Sequence, residues 1–155
     1  MDNLRNLSKD FINKSVFTFD LETPEVMIVW SLRHWSDCIH SKEDPKDLFL
    51  LCTEQHGLPD VSVLFEDIII AIDEGSNEKG AIGGEFCNHI HYGEFKILEA
   101  LYFLQIDNIE SAKKSLSIWL KPVQSRIIFK ILTSLAFYLE KANLVIPPRK
   151  EYRSE

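Results

Sequence analysis

The longest unbroken apolar runs in this 155-residue chain, such as Val26 to Trp30 and Ile68 to Ile72, are far shorter than the ~20 residues a bilayer-spanning helix needs. No transmembrane helix is expected. The start of the chain, Met1-Asp2-Asn3-Leu4-Arg5, has neither the apolar stretch nor the small-residue cleavage site of a secretory leader, so the expected location is cytoplasmic. Cysteine is scarce. Cys38, Cys52 and Cys87 are odd in number and irregularly spaced, which argues against a disulfide framework and reads as three reduced thiols. Glycine is scarce too, with six in all. The Gly-x-x-x-x-Gly-Lys-Ser/Thr and Gly-x-Gly-x-x-Gly spacings are both absent, so nucleotide binding has no support. Positive charge is in deficit, with 17 Lys and Arg against 24 acids and a net charge of −7. That balance disfavours broad binding to nucleic acid or to anionic membranes, both of which need a positive surface.

What the chain does have is apolar and aromatic mass. Hydrophobic residues make up 45% of it, including ten Phe, three Trp and four Tyr. A chain of this length buries roughly 68–70% of its unfolded surface, so one core can form without metals or disulfides. Charge is also polarised along the sequence. Residues 109 to 155 hold nine Lys or Arg against four acids, a balance of +5, which leaves −12 on residues 1 to 108.

Helix signals dominate the order of residues. Residues 1 to 22 show no sustained period and read as an arm, with Ser15 to Leu21 loosely extended. Thr23-Pro24-Glu25 reads as an N-cap, a proline at the first helical position and an acid facing the helix dipole, opening a helix over about 24–40. Asp44-Pro45 opens a second over 45–56, closed by Gly57, with Leu48, Leu51 and Cys52 as its inner stripe. After Leu58-Pro59-Asp60, the residues Val61, Leu64, Phe65, Ile68, Ile69 and Ile72 repeat at helical spacing up to Gly75. Acids such as Glu66, Asp67, Asp73 and Glu74 fall between them and read as a solvated face. The glycine-rich stretch 75–84 reads as a mobile connection between two halves. A short extended piece is expected near 86–91, followed by helices over 94–105, over 109–121 with Ile109, Ala112, Leu116, Trp119 and Leu120 inward, and over 123–142. Asn143 reads as a C′ residue, and Pro147-Pro148 opens a loose tail. The fold expected is therefore mainly α, a compact bundle of about five to six helices. It forms one domain over 1–146 with a flexible tail over 147–155.

From about Glu94 onward, three stretches carry a resemblance: Gln105 to Ala112, Trp119-Leu120-Lys121-Pro122, and Asn143 to Arg149. In these, the chain resembles a group of small uncharacterised helical proteins of alphaproteobacteria. The resemblance covers less than half of the chain. It implies helices and brings no assigned activity, site or mechanism.

Two sets of residues stand out as candidates. Cys87, His89 and His91 alternate along the chain, and a strand would place all three on one face, where zinc is the metal their donors suit. No fourth ligand lies nearby, and two half-exposed histidines beside a buried thiol is the plainer reading. Cys52 and His56 at i, i+4 read as a buried thiol and a histidine at the negative end of a helix. The three thiols lie among apolar residues, and no local Cys–His signature marks any of them as a nucleophile. In the basic half, Arg126 and Lys130 lie one turn apart, with Phe129 beside them and Phe137 two turns on. The set is too sparse for a nucleic-acid site. The function expected is a non-enzymatic helical module that binds another protein or a second copy of itself through Arg126, Phe129, Lys130 and Phe137. The alternative is a small metal- or nucleic-acid-binding regulator using Cys87, His89 and His91.

Overall fold

A computed structural model describes residues 16–152 and places six α-helices in them, α1 (Thr23–Ser41), α2 (Lys46–Gln55), α3 (Ser62–Gly75), α4 (Tyr92–Gln105), α5 (Ile109–Ser117) and α6 (Pro122–Lys141). Each begins or ends on local chemistry that satisfies groups the helix itself leaves unpaired. Asn108 caps α5, its side-chain oxygen accepting from the Ser111 N–H at 3.2 Å. Pro122 opens α6, where its missing N–H costs nothing. Gly57 ends α2 at φ +77°, a conformation open to glycine at no steric cost. Asn143 follows α6 at φ +59°, as its C′ reading requires. Thr23, by contrast, is not a cap. Glu22 holds that position, with its N–H donating to Glu25 Oε1 at 3.0 Å.

The axis of the fold is α4. Eleven of its fourteen residues are buried, because α1, α5 and α6 all pack on it. On the other side, α3 packs against α6 and α1, and α2 covers the edge between α1 and α3. The core runs through all of them, with Leu32, Trp35, Phe49, Phe65, Ile68, Leu98, Leu101, Trp119, Ile128 and Leu132 almost fully buried. No strand forms among the described residues. The extended piece expected near 86–91 is reduced to one antiparallel bridge, Phe17 with His89, supported by Ile90 N–H to Val16 O at 3.0 Å. Among the described residues, no helix is long and apolar enough to cross a membrane.

Three expectations need correction. On α2, Leu48 and Leu51 are 53% and 57% exposed, while Phe49 and Thr53 are fully buried. The helix is thus turned so that the larger ring enters the core, in edge contacts with both Trp35 and Phe65. Ile109 is exposed, so the inner face of α5 starts at Ala112. Residues 149–152 are not loose: Arg149 grips the fully buried Glu25 carboxylate through Nε and Nη2, both at 2.7 Å, and the Tyr152 hydroxyl donates to the same carboxylate. Residues 1–15 of the expected arm and 153–155 of the expected tail lie outside the described residues.

Candidate functional site

The connection between α3 and α4 is built on a buried ion pair. Arg33 from α1 donates to Glu94 of α4 through Nε at 2.6 Å and Nη2 at 2.9 Å, with both side chains sealed from solvent. Burial alone lowers the Arg33 pKa. The bond and charge of Glu94 oppose that effect, and the guanidinium ends above its usual range. Each partner has hydrogen-bonding capacity left over, and the connection fills it. Glu94 also accepts the N–H groups of Gly83 at 3.0 Å and His91 at 2.8 Å. Arg33 also donates to the carbonyls of Cys87 at 2.6 Å and His89 at 2.7 Å. The stretch expected to be a mobile glycine-rich link is tied down at both ends, at its start by Lys121 N–H to Gly75 O at 2.9 Å and Asn77 N–H to Trp119 O at 3.0 Å and at its close by Gly83, which lies buried against the His91 ring.

This scaffold decides where the three candidate metal ligands go. Cys87 and His91 meet, with Sγ to Nε2 at 3.3 Å. His89 instead meets the Phe17 ring, centroid to centroid at 4.8 Å and tilted by 42°. The strand that was to align all three is replaced by a turn, so the donors do not converge. No group of three or more metal-capable side chains occurs among the described residues. Cys52 and His56 do not pair side chain to side chain either, as His56 Nδ1 bonds to the Cys52 carbonyl at 2.8 Å.

The basic half forms the second candidate site. Between α5 and α6 runs a groove of about 1020 Å³. Phe129 forms part of its apolar lining, and Lys113, Lys114, Arg126 and Lys130 supply its charge, with Glu110 as the acid among them. All four cations are exposed. Lys113 Nζ lies 5.4 Å from the Phe129 ring centroid, a cation–π distance. Ser117, Ser125, Thr133 and Ser134 add hydroxyls to the lining. Three of the four residues expected to form an interaction surface, Arg126, Phe129 and Lys130, thus share one concave site. Phe137 lies beyond it, 55% exposed, with its ring against Tyr138 and under Lys141 Nζ at 5.2 Å. Helical spacing places Phe137 on the same stripe as Arg126, Lys130 and Thr133, but Phe137 does not line the groove.

A complementary surface lies on α3. Val63 and Ile70 are 64% and 41% exposed, and Glu66, Asp67 and Glu74 flank them on the same outer face. The acids were expected there, the two apolar residues between them were not. No family model, curated protein or solved structure matches the chain.

Proposed function

We propose that this chain is a non-catalytic helical module that assembles head to tail, its α5–α6 groove receiving the acidic outer face of α3 from a second copy. The observation that carries the reading is the pairing of shapes and charges on one molecule. A groove with a Phe129 lining and four exposed cations has as its counterpart a convex helix with two apolar residues framed by three acids. Aromatic and aliphatic contact would supply the buried centre and the charges would set register and encounter rate. The two surfaces differ, so the contact is heterologous and leads to rings or open chains.

Light scattering after size exclusion, run at low and high salt, tests this. The mass is expected to exceed that of the monomer at low salt and to fall as salt screens the pairs over the ~8 Å Debye length of physiological buffer. Arg126→Glu with Lys130→Glu disables the groove, and Asp67→Lys with Glu74→Lys disables the helix face. Each double variant alone is expected to be monomeric. Mixing the two restores assembly, because the unaltered face of one variant meets the unaltered groove of the other, and the reversed groove meets a reversed face. A monomer at every salt concentration, or a mass indifferent to both reversals, overturns the reading.

A further inference from the structure

The Cys87–His91 contact has the layout of a nucleophile, a base and a group that orients the base. His91 Nδ1 lies 2.9 Å from the Gly80 carbonyl. A carbonyl oxygen only accepts, so Nδ1 carries a proton, and in the neutral ring the Nε2 lone pair then faces the Cys87 thiol at 3.3 Å. The residue is held at three points. Its Nδ1 is fixed by Gly80, its backbone N–H by Glu94 at 2.8 Å, and its Cδ2 edge by Gly83, where a Cβ would come within 2.6 Å. Cys87 is fixed in turn through its carbonyl, which takes Arg33 Nη1 at 2.6 Å. It also lines a cavity of about 440 Å³, whose apolar wall includes Val29, Trp30, Leu48 and Phe86.

Of the other two thiols, Cys38 lines the same cavity and faces His34 Nδ1, but at 3.9 Å against the 3.3 Å of the Cys87 contact, while His56 Nδ1 bonds to the Cys52 carbonyl rather than to its thiol. Cys38 is buried, and burial together with Glu43, Asp37 and Asp44 pushes its pKa up; burial does the same to Cys52. Their thiolate fractions are correspondingly small.

We propose that Cys87 is a covalent acyl-acceptor site, with His91 as its base and the adjoining cavity as the seat of a short apolar acyl chain. Cys87 Sγ bonds to the carbonyl carbon of a thioester or activated ester while its proton passes to His91 Nε2. The bond from that carbon to the leaving group then breaks, and the proton leaves with the departing thiol or alcohol. The products are a Cys87 thioester, the released thiol or alcohol, and neutral His91. No oxidant or reductant enters. The proposal concerns uptake of the acyl group and does not depend on the α5–α6 groove.

The test uses the full chain and p-nitrophenyl hexanoate, following p-nitrophenolate release and mapping the adduct by peptide mass spectrometry. Wild type is expected to acylate at Cys87 about a hundredfold faster than N-acetylcysteine at the same pH, within the range a positioned base supplies. Cys87→Ser is expected to abolish the adduct, and His91→Asn to bring the rate down to that of the free thiol. Cys38 and Cys52 serve as internal reporters, remaining slow as long as the variant is folded. Wild-type Cys87 reacting no faster than N-acetylcysteine overturns the proposal. So does an adduct spread over Cys52 and lysines, or a His91→Asn chain that is folded and as fast as wild type.

Discussion

Replacing Glu94 by Gln keeps the shape of the side chain and removes its charge, which isolates what the carboxylate does beneath the α3–α4 connection. Its partner Arg33 is 5% exposed and Glu94 is 0% exposed, so water cannot move in to solvate a stranded guanidinium without opening the packing. Removing one member of such a pair costs about 3–5 kcal/mol. In a domain of this size each kcal/mol lowers the melting temperature by roughly 2–4 °C, so the expected fall is about 6–20 °C. Asp73→Asn is the internal control. Its contact with His40 lies at the surface, with the two side chains 45% and 55% exposed, and pairs of that kind are worth about 1 kcal/mol or less. Urea and thermal melts followed by circular dichroism give both numbers. Hydrogen exchange adds a local readout, because the Gly83 and His91 amides lose a charged acceptor and should exchange faster than those of α6. A Glu94→Gln chain within about 1 kcal/mol of wild type, with unchanged exchange at those amides, refutes the claim that the ion pair holds the connection.

Other substitutions probe other parts of the fold. Phe49→Ala removes a fully buried ring and should cost about 3–5 kcal/mol in urea melts, whereas Leu48→Ala next to it should stay within about 0.5 kcal/mol; equal losses would mean α2 is turned as its hydropathy pattern suggested. Tyr152→Phe deletes the hydroxyl that bonds the buried Glu25 carboxylate and should cost about 1.5–3 kcal/mol, the range for bonds to charged groups. Stability should also fall at alkaline pH. Burial, then the charge of Glu25, keeps Tyr152 protonated well above the usual tyrosine range, and burial pushes Tyr92 up to about 12. Unfolded tyrosine titrates near ~10. Above that pH the unfolded chain has released protons that the folded chain retains, so stability declines from about 10 toward 12. Tyr92→Phe and Tyr152→Phe should each flatten that decline in urea melts.

The helices were legible in the sequence because their ends are local. Asn108, Gly57, Pro122 and Asn143 each act on backbone groups within a few residues, and each does in the fold what its chemistry suggests. The rotation of α2 was not legible. Leu48, Leu51 and Cys52 form as plausible a stripe as Phe49 and Thr53, and only the space left by Trp35 and Phe65 decides between them. The candidate sites divide in the same way. Arg126, Phe129 and Lys130 lie within five residues on one helix, so their proximity follows from helical spacing. The Cys87–His91 contact depends on Arg33 and Glu94, 61 residues apart, and an acid and a base at that separation look like any other charged residues until the chain is folded. The same is true of Glu25, which reads as an ordinary first-turn acid and proves to be fully buried.

The grip of Arg149 on Glu25, spanning 124 residues, also orders events in time. During synthesis α1 leaves the ribosome early, carrying a carboxylate whose only cationic partner among the described contacts is still to be translated. Until Arg149 and Tyr152 emerge, closing the bundle around Glu25 would strand a charge in apolar surroundings. Closing the bundle around Glu25 is therefore favourable only with the segment that carries Arg149 and Tyr152 in place, and that segment acts as a latch on the helices before it.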